Sequence, residues 1–108
     1  MRKEIGKIQE VWFGKGGYQD ACIGITFTLG GDGWGVGDFW GTWAMKRSSG
    51  CQWTEQDRKD TLGETCMKIV ELLEKAKKDD ISKLKNVPVE CVFDGQLLKS
   101  WRVLTEVL

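Results

Sequence analysis

Ala21-Cys22-Ile23-Gly24-Ile25-Thr26-Phe27-Thr28-Leu29 is the stretch on which the fold turns. Its alternation is strict. Ala21, Ile23, Ile25, Phe27 and Leu29 share one face of an extended chain, and Cys22, Gly24, Thr26 and Thr28 share the other. A period of two with β-branched and aromatic residues predicts a half-buried strand. Glycine clusters bracket it: Gly14-Lys15-Gly16-Gly17 before and Gly30-Gly31-Asp32-Gly33 after, both turn signals.

Outward from this strand, Ile5 to Phe13 reads as another. Its apolar alternation slips once, which predicts a bulge or an edge. On the other side, Trp34 to Met45 is extended, with Trp34, Val36, Asp38, Trp40, Thr42 and Ala44 on one face. Gly35, Gly37, Phe39, Gly41, Trp43 and Met45 take the other. Each glycine weakens a strand by roughly 0.5–1 kcal/mol relative to alanine, so this spacing needs a reason such as close approach of a ring, a chain or a ligand.

The second half changes period. Arg47-Ser48-Ser49-Gly50 is a loop, and Thr54-Glu55-Gln56-Asp57 has the spacing of a capping box. A helix is expected from there to Lys78, burying Leu62, Cys66, Ile69, Val70, Leu73 and Ala76. Acidic residues at its start and Lys75, Lys77 and Lys78 at its end complement the helix dipole. After a connector, Val87 to Phe93 and Leu97 to Val107 read as strands. Asp94-Gly95 between them predicts a type I′ hairpin that sets Glu90 opposite Lys99 and Cys91 opposite Leu98.

The expected fold is therefore α+β, a single domain over residues 1–108. It is an antiparallel β-sheet in the element order β-β-β-α-β-β, with one amphipathic helix packed on one face. One helix leaves the other sheet face without a cover, which predicts homo-oligomerisation or a partner.

Composition excludes several functions. Lys+Arg and Asp+Glu number 16 each, so the chain lacks the positive surplus that a duplex-DNA binder uses to displace counterions. No apolar stretch is long enough to span a membrane, and Met1-Arg2-Lys3-Glu4 opens no signal-peptide pattern, so the expected compartment is the cytoplasm. Cys22, Cys51, Cys66 and Cys91 form no C-x-x-C pair, and histidine is absent. They are expected to be reduced thiols, mostly small core residues, with no metal site. The missing histidine removes the commonest general base and any Ser-His or Cys-His nucleophile, so no enzyme activity is expected. Cys51 beside Arg47 is the one thiol with a charge to activate it. The glycine run Gly30 to Gly41 contains no G-x-x-x-x-G-K-[ST], and Trp40 stands at the third fingerprint position after Gly35 and Gly37. Phosphate-loop nucleotide binding is thereby excluded, and no cofactor is expected.

What remains is aromatic. Six tryptophans stand at 12, 34, 40, 43, 53 and 101. Trp12 and Trp101 lie among strand hydrophobes and are expected in the core. Trp34, Trp40 and Trp43 lie among glycines, where an exposed indole would serve as a binding anchor. The expected binding set is Trp34, Asp38, Trp40 and Trp43, with Tyr18 and Arg47 at its rim.

Gly17-Tyr18-Gln19-Asp20-Ala21, Gly33-Trp34-Gly35-Val36-Gly37-Asp38-Phe39 and Leu98-Lys99-Ser100-Trp101-Arg102-Val103-Leu104 together resemble segments of small proteins encoded by tailed phages and prophages. No chemistry attaches to those segments, and no catalytic residue carries over. The resemblance implies a phage protein made in the bacterial host cytoplasm that binds and blocks a host defence or regulatory protein. The alternative is a sponge that sequesters a cyclic or other signalling nucleotide by aromatic stacking and Lys/Arg phosphate contacts.

Overall fold

The strand at Cys22–Gly31 does form, and its alternation sets every neighbouring register. The computed structural model describes residues 1–108. In chain order the elements are β1 (Arg2–Gly16), β2 (Cys22–Gly31), β3 (Trp34–Trp43), α1 (Glu55–Ala76), β4 (Pro88–Asp94) and β5 (Leu97–Val103), with short 3-10 turns at Tyr18–Asp20, Ile81–Lys83 and Thr105–Val107. The five strands form one antiparallel sheet in the order β3-β2-β1-β4-β5. The α+β architecture and the β-β-β-α-β-β order match the sequence reading.

β1 is the shared strand. Residues 2–7 pair with β4 and residues 7–16 with β2, and the register shifts between Ile8 and Glu10. The slip in alternation seen in the sequence is this bulge. A bulge bends and twists its strand, and here the sheet curls with it. β3 and β5 are the two outermost strands, on the order of 19 Å apart in a flat sheet at about 4.8 Å per strand. Yet the rings of Trp40 on β3 and Trp101 on β5 stack 5.6 Å apart. The two halves of the sheet fold toward each other, and the core lies between them.

That core is the face carrying Ile8, Ile25, Phe27 and Leu29 from β1 and β2, Val89, Cys91 and Phe93 from β4, and Val103 from β5. Leu84 and Val87, from the segment between α1 and β4, close it. Two of the four cysteines are buried as expected (Cys22 and Cys91), but Cys51 is half-buried and Cys66 exposed, and none is disulfide-bonded. Burial, with the Asp38 charge as a second cause, pushes the Cys91 thiol up to about 11.

α1 is capped as the sequence predicts. Thr54 Oγ1 accepts from the Asp57 N–H at 3.0 Å, and Asp57 accepts from the Thr54 N–H at 2.8 Å. It ends at Ala76, with Lys77 in the left-handed conformation at φ 58°. The buried line differs from the predicted one. Thr65, Leu72 and Ala76 are buried, with Ile69 and Leu73 packed beside them, whereas Leu62, Cys66 and Val70 are exposed. Thr65 can enter the interface because its hydroxyl donates to the Thr61 carbonyl at 2.9 Å. That back-bond hides a polar residue from a periodicity count.

The β4–β5 hairpin also corrects the prediction. Asp94 pairs with Leu97, so the turn residues are Gly95 and Gln96, and only Gly95 has positive φ (62°). Glycine alone at the first central position marks a type II′ turn rather than type I′. A bulge between Val92 and Phe93 then sets Cys91 opposite Trp101 and Glu90 opposite Arg102. The predicted Glu90–Lys99 pair is replaced by a Glu90–Arg102 ion pair at 3.2 Å. β5 stops at Val103, short of the expected Val107.

Candidate functional site

The six expected binding residues separate into two groups. Trp34, Asp38 and Trp40 point toward the core face of β3. Trp34 packs edge-on against Phe93 with centroids 5.5 Å apart, and its ring lies over Gly6 and Gly31, where added Cβ atoms would come within 2.7 Å of it. Trp40 packs on Phe27 at 4.7 Å and beneath Lys68 at 4.2 Å. Asp38 ties the edge strands together. Its Oδ2 accepts from Trp40 Nε1 at 3.1 Å and from Trp101 Nε1 at 2.7 Å, while Oδ1 accepts from the Phe39 N–H at 2.9 Å. These three side chains are committed to contacts within the chain. Trp101 packs against the core as expected, but Trp12 is 44% exposed, against expectation.

Tyr18, Trp43 and Arg47 belong to the second group, at the far end of β3. The β1–β2 connection brings Tyr18, the last residues of β3 bring Phe39 and Trp43, and the first turns of α1 bring Asp57 and Arg58 to one cleft of about 320 Å³. Small-molecule pockets run from roughly 300 Å³ upward, so this is the lower end of that range. Trp53 completes the wall. Phe39 lies flat over glycine, which gives the predicted reason for one of the spaced glycines. A Cβ on Gly41 would meet the ring at 2.7 Å and one on Gly16 at 3.2 Å. Gly35 and Gly37 have no such ring above them, and their neighbours stay beyond 3.5 Å.

The cationic side of the cleft is Arg58; Arg47, expected at the rim, stands on the neighbouring loop and does not line it. The Arg58 guanidinium sits over the Trp53 ring at 4.4 Å, donates from Nη2 to the Met45 carbonyl at 2.7 Å and pairs with Glu55 at 3.3 Å. Its Nε–H is buried and has no acceptor. Leaving a buried donor unsatisfied costs about 1–3 kcal/mol, more for a charged group. Arg47 Nε donates to the Trp53 carbonyl at 2.6 Å, which fixes the loop on which Trp53 stands. In the same loop, hydrogen bonds from the Ser48 side chain and then its backbone N–H hold the Cys51 thiol below its ordinary pKa, with help from Arg47 and Arg58. The Ser48–Cys51 contacts are both 3.4 Å.

Phe39, Trp53 and Arg58 were not among the expected site residues. For Trp53 and Arg58 a signal exists. Trp53 precedes the helix cap and Arg58 follows it at the spacing of a hydrophobic staple, so the capping box that predicts the helix also predicts their contact. The Asp38–Trp101 link has no such signal, since it joins residues 63 apart in sequence.

No group of three or more His, Cys, Asp or Glu side chains is placed to hold a metal ion. No helix is long and apolar enough to cross a membrane. Comparison with protein-family models, with curated proteins and with solved structures finds no match to this chain.

Proposed function

We propose that this chain is a non-catalytic binding protein that holds a side chain or short segment of a target protein in the cleft between Tyr18, Phe39, Trp43 and Trp53. The observation that carries the reading is the union of that aromatic wall with the Arg58 guanidinium in one opening. Aromatic and arginine anchors in a pocket are the usual energetic centre of a protein interface. An incoming carbonyl or carboxylate would pair with the exposed part of the Arg58 side chain while the rings cover the apolar part of the same group. Tyr18 is 71% exposed at the rim, placed to make first contact without disturbing the core. The resemblance to phage-encoded proteins makes the target a host defence or regulatory protein in the bacterial cytoplasm.

The guanidiniums beside Trp53 favour a second reading, a signalling nucleotide with its base on an indole and its phosphate on Arg58 or Arg47. Affinity capture from bacterial lysate with wild type and with Trp43→Ala, followed by native mass spectrometry, separates the two. The protein-binding reading expects a captured protein that the variant loses. A bound nucleotide with no captured protein overturns it.

A further inference from the structure

Beyond that cleft, we infer that the free edge of β1 pairs with a second copy of this chain, two antiparallel β1 strands meeting about a two-fold axis at Phe13. The observation is an unfinished strand. β4 covers β1 only through Lys7, and Ile8 makes the last backbone bonds on that side, donating to Val87 O at 3.0 Å and accepting from Asn86 N at 2.7 Å. From residue 10 to residue 16, nothing pairs with β1 on the side away from β2.

The register shows which groups are open. Ala44 N donates to Ala21 O, so the odd-numbered residues of β2 turn their backbone groups toward β3 and the even-numbered ones toward β1. Trp12 and Gly14 face Thr26 and Gly24 and are bonded across to β2. Val11, Phe13 and Lys15 therefore turn their N–H and C=O groups outward. The other two edges are partly guarded. Asp38 Oδ1 takes the outward Phe39 N–H on β3, and β5 is short and flanked by the Arg102–Glu106 ion pair. The open part of β1 contains no proline, and its two aromatic residues, Trp12 and Phe13, are 44% and 46% exposed. Such an edge is a template for another strand.

Self-complementarity selects the occupant. A two-fold at Phe13 uses the whole open edge, pairing residues 10–16 with 16–10 of the copy. Phe13 then meets Phe13, Val11 meets the aliphatic stem of Lys15, and Trp12 lies opposite Gly14, twice over. Within β1, Gly6 and Gly16 are already roofed by the Trp34 and Phe39 rings, whereas a Cβ at Gly14 would meet nothing within 4 Å. The space above Gly14 has the position and the face that Trp12 of the copy needs. A formal net charge of zero adds no repulsion between copies. Half-exposed aromatic side chains contribute on the order of 100 Å² each. With one short ladder the interface falls below the roughly 800 Å² per partner of a standard complex. The dimer is therefore weak and concentration-dependent.

Light scattering over a concentration series should show the mass rising from 12.2 kDa toward twice that value. Phe13→Pro removes an outward N–H without touching the β1–β2 ladder, and Trp12→Lys removes the ring over Gly14. Each should hold the chain as a monomer with an unchanged circular dichroism spectrum. In a Cys51→Ser, Cys66→Ser background, Phe13→Cys should cross-link to itself under mild oxidation, because facing residues in such a ladder lie within disulfide reach. Lys15→Cys should not, because the register sets it opposite Val11. A wild-type chain that stays monomeric at millimolar concentration overturns the inference. So does a dimer that survives both edge variants, or equal cross-linking at positions 13 and 15.

Discussion

Asp38 shows how one residue can look like a ligand-binding group and hold the fold instead. Its carboxylate accepts from two indoles and a backbone N–H that come from β3 and β5, the outermost strands of the curled sheet. Asp38→Ala leaves three part-buried donors short of an acceptor; because water reaches them in part, the expected loss is about 2–4 kcal/mol, below three full penalties of about 1–3 kcal/mol each for buried donors. Urea unfolding measures it, and the near-ultraviolet signal of the Trp40–Trp101 stack should collapse with it. At the same scale, Cys51 should alkylate with a half-maximal pH below that of an ordinary thiol. Ser48→Ala should move that midpoint upward, because the Ser48 hydroxyl is the largest cause of the shift. Glu106 gives a third test. Its hydrogen bonds from Arg102, at 3.0 and 3.1 Å, hold its carboxyl down at about 2. A depressed carboxyl pKa stabilises the fold above the ordinary glutamate range, and that contribution is lost as pH falls through about 2. Arg102→Ala should raise the Glu106 midpoint toward the ordinary range in a carboxyl NMR titration, with the Glu106 backbone hydrogen bond still holding it down in part.

Among the elements, α1 separates what sequence periodicity can resolve from what it cannot. The helix, its cap and its approximate end were legible because they are local: Thr54 and Asp57 are three residues apart, and the apolar repeat is strong. Its orientation was not legible. Counting apolar residues centres the buried face near Leu62, Cys66 and Val70, but the structure buries the adjacent line through Thr65 and Leu72. Leu72→Ala should cost about 2–5 kcal/mol, as a core truncation does, and Leu62→Ala about 1 kcal/mol or less. Equal losses in thermal unfolding would restore the predicted orientation. The hairpin teaches the same lesson at its turn. Asp94-Gly95 marked the hairpin, yet the turn sits one residue later, at Gly95-Gln96, and that shift together with the bulge beyond it moved Glu90 from Lys99 to Arg102. Turn chemistry is local, whereas register also answers to the core, where Cys91 and Val103 are buried.

On the scale of the whole molecule, the strand order and the curl decide where function can lie. The curl brings Trp40, Trp101 and Phe27 together and leaves Trp34, Asp38 and Trp40 half-buried against partners within the chain. None of that is local in sequence, which is why half of the expected binding set turned inward while Tyr18 and Trp43 line the cleft and Arg47 stands on the loop beside it. The same curl leaves the second half of β1 with no strand on the side away from β2, so the molecule has a cleft at one end and an open edge. Under the proposed function a target protein sits in the cleft at the Tyr18–Trp53 end. Hydrogen–deuterium exchange of the chain, alone and with a captured target, locates it most directly. A target in that cleft adds protection at residues 17–22 and 43–58 and leaves the strand Trp34–Asp38 unchanged. Protection centred on Trp34–Asp38, with no change at Tyr18 or Trp53, would contradict it.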